Sequence, residues 1–221
     1  MAARRRRARR RPRRLPGNAA FLNVPYDAKY EQLFLAFLAG LSGFALIPRA
    51  TLEVPGSQRR LERIIHLLHR CRYSFHDLSR VELDPIPPAT PRFNMPFELG
   101  LAVALEKTQR GQHEWFVVET RPHRVWKSLS DLAGTDEYVH GGDPRRVLQA
   151  LTNALVRRRH QPTVAELEEI YSDVREYAVE VKRRLHTRSL FEARPFRELV
   201  VAARRSASRR VTSLRNPGRR E

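Results

Sequence analysis

The fold is decided by residues 19–47, which read AAFLNVPYDAKYEQLFLAFLAGLSGFALI. The segment Ala19–Val24 predicts a buried strand that ends at Pro25-Tyr26-Asp27, and a helical pattern follows from Ala28 to about Gly40. Phe44–Ile47 predicts a second strand. The apolar run from Leu33 to Ile47 is interrupted by glycines and is shorter than the ~20 residues that a bilayer requires. We therefore expect a buried strand–helix–strand unit and no membrane span.

The same alternation of strands and helices continues along the chain. Short apolar runs between helical patterns are typical of a parallel sheet that is covered on both faces. The further predicted elements are a helix over Ser57–Arg70, a strand over Arg72–Asp77, a proline-rich loop over Asp84–Pro91, a helix from about Met95, a strand over Trp115–Val118, a helix over Val125–Leu132, a strand over Glu137–His140 and a helix from Pro144 to about Arg157. The sequence thus predicts an α/β protein with a five-stranded parallel sheet in three layers.

Residues 159–221 change in character. Val164, Leu167, Ile170 and Val174 recur at helical spacing, and Pro195 separates a second helical segment that ends in arginine-rich sequence. We therefore divide the chain into a disordered arginine-rich arm over residues 1–17, an α/β domain over 18–158 and a helical basic C-terminal extension over 159–221.

The positive charge of the chain lies mainly in its ends. Of the net charge of +18, residues 1–14 contribute nine Arg with no acid and residues 201–221 contribute seven Arg against one Glu, which leaves +3 for the residues between. Such arms attract polyanions, so a nucleic-acid partner is one hypothesis, while a solubilising tail or an upstream start codon is the other. The single cysteine, Cys71, permits no internal disulfide, and we expect a cytoplasmic protein.

Candidate site residues follow from where the predicted strands end. Ligands of parallel α/β sheets bind outside the carboxyl ends of the strands, and all of these side chains should converge on one edge. The chain places the following polar residues there: Asn23, Tyr26, Arg49, His76, Asp77 and Ser79, together with Asn94 and Glu98 at the start of the helix before the fourth strand. Asn94 is predicted to cap that helix, with Glu98 in its first turn, where the helix dipole favours an ionised carboxylate.

Two acids near a tyrosine and an arginine suit cleavage of a glycosidic bond. Glu98 is the predicted nucleophile or stabiliser of an oxocarbenium-like transition state, and Asp77 is predicted to orient a sugar hydroxyl or a base. Arg49 could meet a phosphate, and Tyr26 could stack on the ligand. Structural interpretations also stand: Glu98 as a helix-dipole partner, Asp77 as an Asx turn and His76 as a buried core histidine.

Metal chemistry is not predicted. His66, His69, Cys71 and His76 match no zinc spacing. No cofactor is predicted either, and NAD enters only as a candidate substrate.

Three motifs carry a resemblance to a known superfamily. They are Phe21–Asp27, then Cys71–Arg80 with its Asp-Leu-Ser, then Arg92–Gly100 with Asn94 before Glu98-Leu99-Gly100. In this order they resemble a bacterial branch of the nucleoside 2-deoxyribosyltransferase and TIR-like superfamily, over roughly residues 19–156. The resemblance implies a flavodoxin-like or TIR-like sheet, a glutamate at Glu98 that attacks or stabilises the ribosyl carbon of a nucleoside or NAD, a ligand-site role for Asp77, and a homo-oligomer.

Three functions remain open from the sequence. The first is an enzyme, a glycosidase or a deoxyribosyltransferase, that cleaves or transfers the N-glycosidic bond of a nucleoside, nucleotide or NAD. The second is a non-catalytic, TIR-like nucleotide-binding sensor that signals through its helical C-terminal part. The third is a nucleic-acid-associated protein held by its arginine-rich arms.

Overall fold

The structure is a computed structural model that describes residues 17–53, 59–81, 83–84, 87–88, 90–91, 93–109 and 111–211. All but the last residue of the predicted N-terminal arm lies outside these ranges, as do the predicted helix start at Ser57 and residues 85, 86 and 89 of the proline-rich stretch.

A five-stranded, all-parallel sheet forms the centre of the molecule, which confirms the predicted α/β class. The strands lie in the order β2-β1-β3-β6-β7. Their bounds are β1 Ala19–Asn23, β2 Ile47–Arg49, β3 Tyr73–Asp77, β6 Glu114–Glu119 and β7 Glu137–Val139, and a separate antiparallel pair is formed by β4 Leu83–Asp84 and β5 Thr90–Pro91. The predicted loop over Asp84–Pro91 therefore begins and ends in short strands, in which Asp84 pairs with Thr90 and Leu83 with Pro91.

Seven α-helices connect and cover these strands within the described ranges. They are α1 Glu31–Gly43, α2 Arg60–Leu68, α3 Asn94–Thr108, α4 Arg124–Ser128, α5 Pro144–Ala154, α6 Val164–Leu185 and α7 Ala193–Arg210. No helix in this part of the chain combines the length and the apolarity that crossing a bilayer requires.

Helix α1 continues past Gly40, where the sequence predicted its end. A Cβ on Gly40 would lie 2.4 Å from Leu151 Cδ1, and a Cβ on Gly43 would lie 2.3 Å from Leu167 Cδ2. The glycines thus allow close approach of α5 and α6 and do not terminate the helix. Because α1 ends later, the second strand begins only at Ile47.

Helices cover both faces of the sheet. On one face, α1 and α5 pack against the side chains of Leu22, Phe75 and Val118. On the other face, α2 packs against Phe21, and α3 and α4 pack against Val117. This arrangement gives the three predicted layers.

The C-terminal helices belong to the same hydrophobic core as the sheet. Phe196 and Leu199 of α7 and Val174 of α6 are buried together with Phe34 of α1. Because α1 is apolar around its whole circumference, the side that faces away from the sheet needs a cover, and α6 with α7 provides it. The predicted helical C-terminal region is thus present, and its helices α6 and α7 pack into the same core as α1.

Replacing Phe196 with alanine tests this shared core. Phe196 is 2% exposed, so we expect Phe196→Ala to lower the free energy of unfolding of the whole protein by about 3–5 kcal/mol. Val201→Ala is the matched control on the same helix, because Val201 is 48% exposed and its loss should change stability by less than about 0.5 kcal/mol. Urea unfolding followed by circular dichroism measures both variants. A separate early transition of the C-terminal helices, with the main transition unchanged, would contradict a common core.

Candidate functional site

Glu98 lies at the carboxyl edge of the sheet, in the N-terminal part of α3. Helix α3 begins at Asn94 and its N-cap is Phe93, so Asn94 is an exposed first helical residue and not the predicted cap. Glu98 consequently stands just beyond the first turn, where the helix dipole has weakened. Its side chain is nonetheless buried, at 2% exposure.

Burial and Arg60 act in opposite directions on the ionisation of Glu98. Burial raises the pKa of the Glu98 carboxyl above its usual range, and the Arg60 guanidinium opposes that rise. Arg60 Nη2 donates a hydrogen bond to Glu98 Oε1 over 3.3 Å. The structure therefore places Glu98 further into α3 than the sequence predicted, with Arg60 as a charged partner.

A cleft of about 780 Å³ opens beside Arg60, and Glu98 lies behind Arg60 and is not among the residues that line it. It lies between the strand-end segments that follow β1 and β2, the start of α2 and the start of α7. Arg60 and Tyr26 both line it. Glu98 also raises the pKa of the Tyr26 phenol, after the larger effect of burial, which together bring that pKa to about 12. Two residues that line the cleft therefore interact electrostatically with Glu98.

The wall of the cleft near Tyr26 is aromatic. The Tyr26 ring stacks on Phe191 with centroids 5.5 Å apart and an interplanar angle of 28°. The Tyr26 hydroxyl lies 3.1 Å from Thr51 Oγ1, which fixes the orientation of the ring. Tyr26 therefore lines the cleft beside Phe191, and its contact with a ligand stays a prediction.

Arg49, which the sequence predicted could meet a phosphate, pairs with Glu53 and is not among the residues that line the cleft. Its Nε donates to Glu53 Oε1 over 2.5 Å, and the same carboxylate oxygen accepts the backbone N–H of Ala50 over 3.2 Å. Arg49 therefore neutralises the acid that follows β2, and its charge is already balanced.

Asp77 is separated from Glu98 by strand β3. Alternation along β3 directs Asp77 to the face that α1 covers, whereas α3 with Glu98 covers the opposite face. Both carboxylate oxygens of Asp77 are engaged: Oδ1 accepts the backbone N–H of Ser79 over 2.8 Å, and Oδ2 accepts the Tyr30 hydroxyl and lies 3.0 Å from His140 Nε2. The two acids reach the same sheet edge, but no contact among the described residues joins them.

Asn23 and His76 belong to a buried chain of hydrogen bonds on the α3 side of the sheet. Asn23 Nδ2 donates to His76 Nδ1 over 3.0 Å and to the Met95 carbonyl over 3.3 Å. His76 Nε2 then lies 2.9 Å from Ser74 Oγ, and that hydroxyl lies 2.8 Å from His113 Nε2. The bond to Met95 holds the start of α3, and with it Glu98, against β1.

Only neutral imidazoles satisfy this chain. Because an amide nitrogen can only donate, His76 accepts at Nδ1 and carries its proton on Nε2, so Ser74 donates onward to His113. His113 then carries its proton on Nδ1, which lies 2.9 Å from the Cys71 carbonyl oxygen. Burial, and then the nearby His113, lowers the pKa of His76 to about 3. These residues have a positioning function, and His76 does not face the cleft.

Several residues of the site carried no signal in the sequence. Arg60 follows Arg59 at the start of a predicted helix, and Pro195 marks the start of α7, but neither feature indicates that the two helices meet at one sheet edge. Tyr30 and His140, which fix Asp77, come from separate elements. Only the packing of α7 on α1 brings Phe191, Arg194 and Arg197 to the cleft.

The fold and the cleft define the class of the molecule, a three-layer parallel α/β protein with its candidate site at the carboxyl edge of the sheet. No family model matches the chain, and neither the curated proteins nor the solved structures include a significant match.

The buried histidine chain predicts a loss of stability in mild acid. The pKa of His76 is about 3 in the folded protein and about 6.5 in the unfolded chain, so between these values the unfolded state binds the extra proton. The free energy of unfolding should therefore fall as the pH decreases from 6.5, by up to about 1.4 kcal/mol per pH unit for this group. Urea unfolding at several pH values measures the slope.

The variant His76→Gln should show a smaller slope between pH 6.5 and 4.5, whatever its absolute stability. His66→Gln is the control, because His66 is exposed on α2. Identical slopes in wild type and His76→Gln would show that His76 titrates normally in the folded protein.

Proposed function

We propose that this protein breaks the N-glycosidic bond of a nucleoside, nucleotide or NAD, with Glu98 acting on the ribosyl carbon. The observation that carries the proposal is the buried Glu98 carboxylate, which interacts with Arg60 and Tyr26 at the wall of the cleft. The order of the three sequence motifs supports the same chemistry.

The chemistry requires one ionised carboxylate at the anomeric carbon. Glu98 donates an electron pair to C1′ or stabilises the positive charge that develops there, the C1′–N bond breaks, and the base leaves with the bonding pair and takes up a proton. Water or a second base then attacks C1′, which releases Glu98. Arg60 keeps the carboxylate charged in its buried position, and Tyr26 offers a ring for stacking.

Asp77 has a supporting function in this proposal. Its oxygens fix the Ser79 backbone, the Tyr30 hydroxyl and His140, so it holds the ends of β3, the turn before α1 and the end of β7 in register. The reacting carboxylate is therefore Glu98 alone.

The variant Glu98→Gln tests the proposed reaction. The purified protein is incubated with NAD, with the common nucleosides and deoxynucleosides and with their 5′-monophosphates, and release of the base is followed by chromatography. We expect turnover by wild type and a loss of at least about 10³-fold in Glu98→Gln, because the amide keeps the shape but removes the charge. Glu106→Gln on the same helix is the control, since Glu106 is 31% exposed and pairs with Lys107. Ligand binding without turnover by wild type would instead identify a nucleotide-binding module.

The pH dependence of turnover tests the partnership of Arg60 with Glu98. Arg60 opposes the rise in the pKa of Glu98, so its removal in Arg60→Gln should raise that pKa further. The acid limb of the kcat/KM profile should therefore move to higher pH, while activity on the alkaline side recovers. If the acid limb does not move and kcat falls by the same factor at every pH, Arg60 does not control the ionisation of Glu98.

A further inference from the structure

Four of the described residues that line the cleft are arginines. Two of its arginines, Arg60 and Arg63, come from α2, and two more, Arg194 and Arg197, come from the first turns of α7. The acids at its wall are Glu53 and Glu192. This arrangement leaves an excess of positive charge in a concave site.

The two acids that line the cleft form no ion pair with the arginines of α7 in the described part of the chain. Glu53 is paired with Arg49, and Glu192 Oε1 accepts the Thr187 hydroxyl over 2.9 Å. Neither carboxylate is within ion-pair distance of Arg194 or Arg197 in the described part of the chain. The positive charge that α7 brings to the cleft is therefore not balanced from within it.

The four arginines differ in the polar contacts that they already make. Arg60 binds Glu98, and Arg63 Nη1 donates to the Thr51 carbonyl over 3.4 Å. Arg194 Nε lies 3.3 Å from Glu198 Oε1 in an exposed pair of the kind that contributes little energy. Arg197 makes no ion pair or hydrogen bond with the described residues. Arg197, with Arg194 one turn before it, is thus available to an anion.

The remaining wall of the cleft suits a flat ring. The stacked pair of Tyr26 and Phe191 borders the same volume of about 780 Å³, which is large enough for a mononucleotide. A guanidinium recognises phosphate through two parallel N–H donors, which a neutral sugar hydroxyl cannot match.

We propose that the substrate of this site carries a phosphate, and that Arg197 and Arg194 of α7 bind that phosphate while the aromatic wall contacts the base. This inference rests on the proposed function of the Glu98 site and adds the substrate class, a nucleoside 5′-phosphate in preference to the free nucleoside. It also gives α7 a direct task in recognition, beyond its contribution to the core.

Calorimetric titration of the full chain tests the proposal. The ligands are adenosine, guanosine, cytidine and thymidine, their 5′-monophosphates, and inorganic phosphate. At least one 5′-monophosphate should bind about tenfold or more tightly than its nucleoside, because hydrogen bonds to a charged group are stronger than those to a neutral one. Inorganic phosphate should compete only at much higher concentration, since it lacks the ring. The affinity should fall as salt is added.

The variant Arg197→Gln should remove most of the preference for the 5′-monophosphate and leave nucleoside binding unchanged. Arg205→Gln is the matched control, because Arg205 lies two turns further along α7 and outside the cleft. Both side chains are exposed, so both variants should unfold at the same urea concentration as wild type.

Two results would overturn the inference: equal affinity for nucleoside and 5′-monophosphate, or a preference that Arg197→Gln leaves intact. Competition by inorganic phosphate as strong as that by the mononucleotide would also overturn it. Failure of the proposed reaction is distinguishable, because it appears as Arg197-dependent binding of the 5′-monophosphate with no base released by wild type.

Discussion

The structure depends on one helix that has no polar side. Every residue of α1 from Leu33 to Gly43 is buried, so the helix must be covered all round. One side packs on the sheet, α5 approaches closely at Gly40, and α6 approaches at Gly43. This requirement draws the C-terminal helices into the core. It also decides where α7 begins, which is next to the carboxyl edge of the sheet.

The candidate site is a consequence of that packing. At the sheet edge, Glu98 is buried, and the guanidinium of Arg60 opposes the resulting rise in its pKa. The hydrogen bond from Asn23 to the Met95 carbonyl fixes the start of α3, and neutral His76 fixes Asn23 in turn. Asp77 performs the corresponding task on the opposite face through Tyr30 and His140. Two polar networks thus hold the two faces of the sheet at this edge. The residues of these networks do not line the cleft.

The predicted site residues divide according to what each prediction relied on. The rule that ligand residues follow parallel strands depends only on chain direction, and it led to Tyr26 and to the edge that holds Glu98. That rule does not show on which face of the sheet a side chain lies. Asp77 lies on the face that α1 covers, whereas Glu98 belongs to α3, which covers the opposite face. Nor could the rule show that Arg49 would be neutralised by Glu53 four residues later, because the turn after β2 brings them together. Asn94 illustrates a smaller limit, since the helix begins one residue earlier than a capping pattern indicates.

By itself, the sequence determined the α/β class, the succession of the central strands and helices with bounds correct to within a few residues, and the place of Glu98 near the start of a buried helix. These follow from local periodicity, from the length of the apolar runs and from motif order, all of which are encoded by near neighbours in the chain. Only the tertiary structure decided that residues beyond 158 join the core, that Asp77 lies on the face opposite Glu98, and that Arg60, Arg194 and Arg197 border one cleft. The faces of Asp77 and Glu98 are set by the alternation along β3 and by the packing of α3. The joining of α7 to the core and to the cleft depends on packing between segments more than 100 residues apart.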